Sequence, residues 1–586
     1  MKRLIDQMSA SVAKPLLKKY QDSDGGRASF AAFRQKLAAL PDSGWKYRYQ
    51  WGDNEKIAEN QSEKQSGKQS GKQSGKQSGK QSGKQSSLTA PLQQLEQLLA
   101  VPEEKSPSDW SAAFLDELVP LARDAAGCDP YKNPCEYVLY GAELAICLGS
   151  SVSGWKSAAE FLKQGKRALS DSMDLFLDEK GMPHVEVLPY FRLIMASWTR
   201  LRYLDSAGNL KLFTEDEQLL YEWAARCLVL LTNADGTQRG ASGEQLEFPE
   251  AEIEFFKAVL ALDSDQDDQN QALVALPWIS KAKAQAAKDI IMTEPCMYSE
   301  WSRVAVMQNG WNCCSPSVLM THSGAEMNLS IAAGGRRLIE GPWKTAVSVG
   351  GKKVQPAGDW EQVCYSCEDY YAYLEMELPL ESGISLGRTI SLLHEDELLI
   401  LADSVRLPES RLSRSVDAQG AKEPAKRLRS QASWKFCSGV SFESAYDSSE
   451  GWIQSGKAQR TVFPLALPEW KSDASAGTLT VNRNRELVYQ TLGQGVSLFS
   501  PLVIDLNPRR SHNAFTWRPL TVTQKGRELP LDAVRAFRLM IGDDQWLFYQ
   551  SQCPPAPRAV WGHHLINQTY WGRFIEGEFE PIVEIE

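Results

Sequence analysis

Residues 371–378, Tyr371-Ala372-Tyr373-Leu374-Glu375-Met376-Glu377-Leu378, mark a change of period in the chain. Leu374, Met376 and Leu378 alternate with Tyr373, Glu375 and Glu377, which predicts a half-buried β-strand. Residues 384–392, 397–405, 478–481 and 546–549 read the same way, and short segments broken by Gly, Pro, Asn and Asp continue to Glu586. Upstream the spacing is helical. Trp110, Phe114 and Leu118 recur at four-residue steps, as do Tyr190, Ile194 and Trp198. Leu162, Leu169, Met173 and Phe176 form another apolar stripe, and Leu220, Trp223, Cys227 and Leu230 a further one. Thr214 with Glu217 predicts a capping box, and Pro249 sits where a first helical turn tolerates it. Eight or nine helices are expected, one of them over residues 30–40. Helices first and strands second exclude a parallel α/β fold. They predict a multidomain α+β chain in which antiparallel sheets pack face to face beyond a boundary near residue 295.

The chain has 586 residues and a formal net charge of −10, with 42% hydrophobic and 24% charged residues. That balance describes a globular protein with ample core and argues against a nucleic-acid partner, whose phosphates need concentrated Lys and Arg. An anionic substrate needs only a local basic pocket. No apolar run approaches the roughly 20 residues that span a bilayer, so no transmembrane segment is expected. Met1-Lys2-Arg3 is followed by no apolar stretch, and the eleven cysteines show no regular framework. Free thiols and a cytoplasmic location are the expectation. From residue 64 the chain repeats Lys-Gln-Ser-Gly five times and closes with Lys84-Gln85-Ser86-Ser87. Nothing in that tract can be buried, and its Gly and Ser favour a flexible surface loop; the competing reading is a basic tether for an acidic partner.

Three further stretches carry a family resemblance. Thr321-His322-Ser323-Gly324-Ala325-Glu326-Met327-Asn328-Leu329-Ser330-Ile331-Ala332-Ala333-Gly334-Gly335-Arg336-Arg337-Leu338-Ile339-Glu340-Gly341-Pro342 resembles the first sandwich strands of the heparinase II/III-like polysaccharide lyases. In that family a His-x-His-x-Asp motif leads into an apolar strand, a Gly-rich turn and a second strand ending in Asp-x-Gly. Gly387-Arg388-Thr389-Ile390 with Leu398-Leu399-Ile400-Leu401-Ala402-Asp403 resembles the family's next hairpin, and Asn233-Ala234-Asp235-Gly236-Thr237 its helix-to-loop junction. The matches fall in the family's order. With the helical extension placed over 1–60 and the repeat loop over 61–88, they imply an incomplete (α/α) toroid over 89–294 and an antiparallel β-sandwich over 295–586. They also imply an anionic polysaccharide as partner, and export to the periplasm as the alternative to cytoplasm.

Carried over residue by residue, His322 matches the first motif histidine, which catalyses or holds substrate. Glu340 falls where the family places an acidic ligand to a divalent metal such as zinc, and Glu326 where it has Asp. Gly324 stands in place of the second histidine, so one metal ligand is missing. No Asn-His pair appears in the helical half.

A lyase acting on a uronic-acid polymer must neutralise the carboxylate, remove the C5 proton and protonate the departing 4-oxygen. Tyr and His suit the proton transfers, and the planar fork of Arg suits the carboxylate. His322 is the candidate base, against a structural role at a strand edge. Tyr190 is the candidate proton donor, Arg192 the carboxylate clamp and Trp198 a sugar platform, against a core stripe with surface arginines. Arg239, in a Gly-rich loop, is a second carboxylate candidate or half of an ion pair. Tyr298, Trp301, Asn309 and Trp311 read as substrate-facing or as packing. For a metal, Glu340 could join Cys364, Cys367 or His394, although Cys-x-x-Cys without a second pair is a weak zinc signal and buried thiols are the simpler reading. Two alternatives to the lyase stay open: a relative that binds glycans or proteins without catalysis, and a glycoside hydrolase using carboxylates such as Asp235 and Glu326. Deletion of residues 64–83 should leave the melting temperature and any activity unchanged, and a large loss of either would refute the loop reading.

Overall fold

The structure is a computed structural model that describes residues 110–151, 157–240, 250–262, 265–281, 283, 292, 294–408, 426–471 and 476–586. The expected extension over 1–60 with its helix, the repeat loop over 61–88 and Pro249 lie outside these residues. The chain divides into two compact units between Ile291 and Met292.

The first unit is helical, an incomplete (α/α) toroid. Its described helices are Trp110–Ala125, Ala145–Ser151, Ala158–Phe176, Phe191–Gly208, Glu215–Leu230, Glu250–Leu260 and Gln266–Ala275. Pro134–Glu136 and the π-helix Tyr137–Leu144 lead directly into the second of them. The expected stripes face inward: Leu169, Met173 and Phe176 are fully buried, as are Ile194 and Trp198. Thr214 and Glu217 form the capping box. On the helix Glu215–Leu230 the buried face runs through Tyr221, Ala224 and Leu228, while Leu220 and Trp223 stay half-buried. Inside the π-helix, Glu143 accepts from Arg200 Nε at 2.8 Å and Nη2 at 2.7 Å, and from Ser197 Oγ at 2.8 Å. Both ionic partners are buried. A buried charge needs such pairing, so the widened turn is anchored by the same contact that satisfies Glu143.

The second unit is antiparallel throughout. A five-stranded meander runs Met297–Ser299, Val304–Gln308, Ser317–Ser323, Glu326–Ala333 and Arg336–Pro342. The central sheet has eight strands, from Val440–Ser444 at one edge through Ser497–Asp505, Leu398–Arg406, Ile384–Leu393 and Tyr371–Leu380 to Glu361–Glu368 at the other. One core joins its Ala372, Leu374, Met376, Leu399 and Leu401 to the meander and to a second five-stranded sheet that contains Arg427–Lys435. A different core joins Tyr371, Tyr373, Leu398, Ile400 and Ala402 to a sheet built around Asp544–Ser551. Successive residues of the central strands therefore enter opposite cores.

This corrects the half-buried reading of residues 371–378. Tyr373 is fully buried, and Glu375 is 5% exposed because it accepts from Tyr373 Oη at 3.0 Å and Arg406 Nη2 at 3.2 Å. The alternation is real, but its polar side faces another sheet instead of solvent.

One ion pair crosses the central hairpin. Arg388 and Asp403 are register partners, with Nε 2.9 Å from Oδ1, and both are almost fully buried. Asp403→Ala would strand the guanidinium in the core, and should lower stability of this unit by about 3–5 kcal/mol. Denaturant unfolding followed by tryptophan fluorescence checks it; a loss below about 1 kcal/mol would show that the pair is dispensable.

Candidate functional site

His322 is the penultimate residue of Ser317–Ser323 and pairs with Met327 of the next strand. Strand alternation puts it on the same face as Val318 and Met320, at the rim of the core they enter. Its N–H donates to Arg303 O at 3.1 Å. The ring is 6% exposed, and its Nε2 is buried with no hydrogen-bond partner. Burial, reinforced by the Arg303 charge and opposed by Asp359, lowers its pKa to about 4. The imidazole is therefore neutral near pH 7, the form in which it can accept a proton.

Two turns frame this ring. Arg303 holds a left-handed φ of 60° in the turn after Met297–Ser299, and its neighbour Trp301 is 45% exposed. A non-glycine residue at such a φ is uncommon and strained. Gly324 turns the chain at φ 56°, and the nearest atom to a Cβ built there would be Asp359 Oδ1 at 3.7 Å. Space is not the constraint; the backbone angle is. Trp360 fixes the turn by donating its N–H to Gly324 O at 3.2 Å and its indole N–H to Ala325 O at 3.1 Å. Glu326 is exposed at the start of the next strand. The site thus sets a neutral imidazole within the electrostatic reach of a guanidinium, Arg303, and a carboxylate, Asp359, with the exposed Trp301 two residues before Arg303. Sequence reasoning passed over Arg303 and Asp359, which belong to no motif.

The other candidates fare differently. Tyr190 ends the 3-10 turn Leu188–Tyr190 and is half-buried; burial, with Cys135 adding to it, raises its hydroxyl pKa. Trp198 is fully buried and its indole donates to Ser172 Oγ at 3.2 Å, so it is a core residue and not a sugar platform. Arg192 is also a correction: it is 2% exposed, donates to Thr232 Oγ1 at 3.1 Å and lies over the Phe256 ring at 5.4 Å. Arg239 meets the same residue, its Nε donating to Thr232 O at 3.3 Å, and burial lowers its pKa to about 10. These two arginines are brought together inside the helical unit. Trp311 is 3% exposed and serves packing. Asp235 caps its own turn through Thr237 N and Oγ1, at 3.0 and 2.5 Å.

The metal that the resemblance implies does not fit its expected position. Gly324 offers no ligand, and Glu340 is held by Arg337 Nη1 at 2.8 Å. Cys364 and Cys367 flank no turn; both lie on Glu361–Glu368, and they pack into different cores. Cys367 and His394 do come together, but with Cys296 instead of Glu340.

The chain is similar in structure to heparinase III, with a TM-score of 0.54 and 12% identity over 79% of this chain and 74% of that one. It is also similar to a mutant heparan sulfate lyase from Pedobacter heparinus, with a TM-score of 0.50 and 13% identity over 79% and 74% of the two chains. No family model and no curated protein sequence matches the chain. The likeness establishes a heparinase-like fold, divergent in sequence.

The His322 environment sets a pH signature. Its folded pKa lies below the ordinary 6.5, so between 6.5 and about 4 the unfolded chain binds a proton that the native ring refuses. This contribution to stability is full above about 6.5 and is lost as pH falls through that window. NMR should find His322 still neutral at about pH 5.5. A midpoint near the ordinary value would contradict the buried, Arg303-flanked ring.

Proposed function

We propose that this protein, with its heparinase-like fold, is a polysaccharide lyase that cleaves a uronic-acid-containing polymer by β-elimination. The observation that carries the reading is the buried neutral ring of His322, whose Nε2 has no partner and whose neighbour is Arg303. In the proposed reaction the Arg303 guanidinium offsets the substrate carboxylate, which acidifies the C5 proton. His322 accepts that proton, the electron pair forms the C4–C5 double bond, and the C4–O bond breaks. The departing oxygen takes its proton from the resulting imidazolium. Trp301, exposed beside Arg303, offers a flat apolar face for a sugar ring.

A second reading, a relative that binds glycans without cleaving them, is favoured by the enclosed positions of Arg192 and Trp198. The deciding experiment incubates purified protein with heparin, heparan sulfate, chondroitin, alginate and ulvan and follows the ultraviolet absorbance of unsaturated uronate. Absorbance is expected to rise with one of them. His322→Ala should lower kcat by at least about 10²-fold, whereas Arg303→Gln should act mainly on kcat/KM. Binding of a polymer without absorbance or new reducing ends would sink the lyase in favour of the binding protein. Reducing ends without absorbance would mean hydrolysis.

A further inference from the structure

Cys296, Cys367 and His394 come from three separate stretches of the sandwich unit, yet their sulfur and nitrogen ligand atoms all lie within 4.8 Å of one another. Cys296 precedes Met297–Ser299, the edge strand of the meander, and Cys367 lies on Glu361–Glu368, an edge strand of the central sheet. His394 follows Ile384–Leu393 and is placed beside Cys367 by the turn between Glu361–Glu368 and Tyr371–Leu380. The His394 N–H donates to Tyr370 O at 2.8 Å in that turn. All three side chains are half-buried, and both cysteines are free thiols.

The ring orientation is the informative detail. His394 Nδ1 lies 3.0 Å from Asp369 O, and a carbonyl can only accept, so Nδ1 carries the proton. In the neutral ring the Nε2 lone pair is then free to bind, and Nε2 lies 3.9 Å from Cys296 Sγ. A backbone-carbonyl partner on the far nitrogen is the arrangement that fixes the tautomer of a metal-binding histidine. Zinc with bonds of about 2.3 Å to sulfur and 2.0–2.1 Å to nitrogen separates tetrahedral S and N ligands by roughly 3.6 Å. The observed spacing is close to that. Cys296 Sγ also accepts from Gln308 N at 3.4 Å, a bond that supports thiolate charge. The Glu294 carboxylate is within hydrogen-bond reach of Cys367 and is exposed.

We propose that Cys296, Cys367 and His394 bind zinc, with Glu294 or water as the fourth ligand, in a site that staples an edge of the meander to an edge of the central sheet. Two thiolates and an imidazole in tetrahedral reach select zinc over the hard cations, which prefer oxygen. The gain is structural: three loop-proximal segments, 71 and 27 residues apart by subtraction of their numbers, are closed by one ion.

The test uses the full chain, expressed with zinc and purified without chelator, with metal content read by mass spectrometry. About one zinc per chain is expected. Cys296→Ser, Cys367→Ser and His394→Ala should each lower it by at least about tenfold, while Cys364→Ser and Glu340→Gln retain it. Variant misfolding is covered by the unchanged chain: after chelation, cobalt(II) should restore thiolate-to-cobalt charge-transfer bands and tetrahedral visible bands. Zinc-free protein without those bands would overturn the site. So would undiminished zinc in the three variants, or a Cys296–Cys367 disulfide in unreduced, zinc-supplied protein. Every readout is independent of polysaccharide cleavage.

Discussion

Arg388 sits where three elements of the sandwich unit have to agree. Its Nε reaches Asp403 across the central hairpin, its Nη2 donates to Thr345 Oγ1 at 2.6 Å and its Nη1 donates to Trp343 O at 3.2 Å. Thr345 in turn donates to Asp403 Oδ2 at 2.7 Å. The guanidinium also lies 4.0 Å from the Trp343 ring centroid and 4.7 Å from that of Trp360. A buried cation this fully engaged tolerates little displacement, because each donor it loses leaves charge uncompensated in the core. Trp360, held on one side by Arg388, holds the carbonyls of Gly324 and Ala325 on the other. The line of contacts therefore runs from the central sheet to the turn that follows His322.

That continuity explains why two of the resemblance stretches belong together. Residues 387–390 and 398–403 form the hairpin that buries Arg388, and residues 321–342 form the strands whose turn it steadies. The hairpin was legible because its strands carry long apolar runs. The partner across the core was not, since nothing local to Arg388 announces Trp343, Thr345 or Trp360. Only the register of Arg388 with Asp403 makes the pair, and register is a property of the sheet.

The same distinction separates the readings that held from those that did not. Period two correctly signalled strands at 371–378, but alternation of Tyr and Glu with Leu and Met cannot tell solvent from a second core. Tyr373 and Glu375 are accommodated because Arg406 and a hydroxyl satisfy the carboxylate there. Trp198 shows the converse: aromatic spacing of four from Ile194 on a helix is the signature of packing, and packing is what it does. His322 stood out because a motif pointed to it. Arg303 and Asp359 reach it through loops, where sequence distance says little about spatial distance, and for the same reason nothing in the sequence joined Cys296 to Cys367 and His394.

The chemistry proposed at His322 draws on its own surroundings, without the metal that the resemblance would supply. A cation beside an imidazole disfavours its protonation, and a divalent ion held two residues along the chain would act on this ring in that sense. Here Gly324 cannot hold one, and the Arg303 guanidinium provides the nearby positive charge instead, added to the larger effect of burial. Asp359 opposes both and keeps the balance from going further. A ring kept neutral by burial, with an arginine beside it adding to the effect, keeps its lone pair while that arginine can attract a carboxylate. In the proposed reaction, substrate binding at Arg303 would then relieve the part of the His322 pKa depression that comes from its charge. In the proposed reaction the base would strengthen when a uronate arrives and stay weak when none is present, so the divergence at Gly324 would alter how the site is poised without removing the proposed proton acceptor.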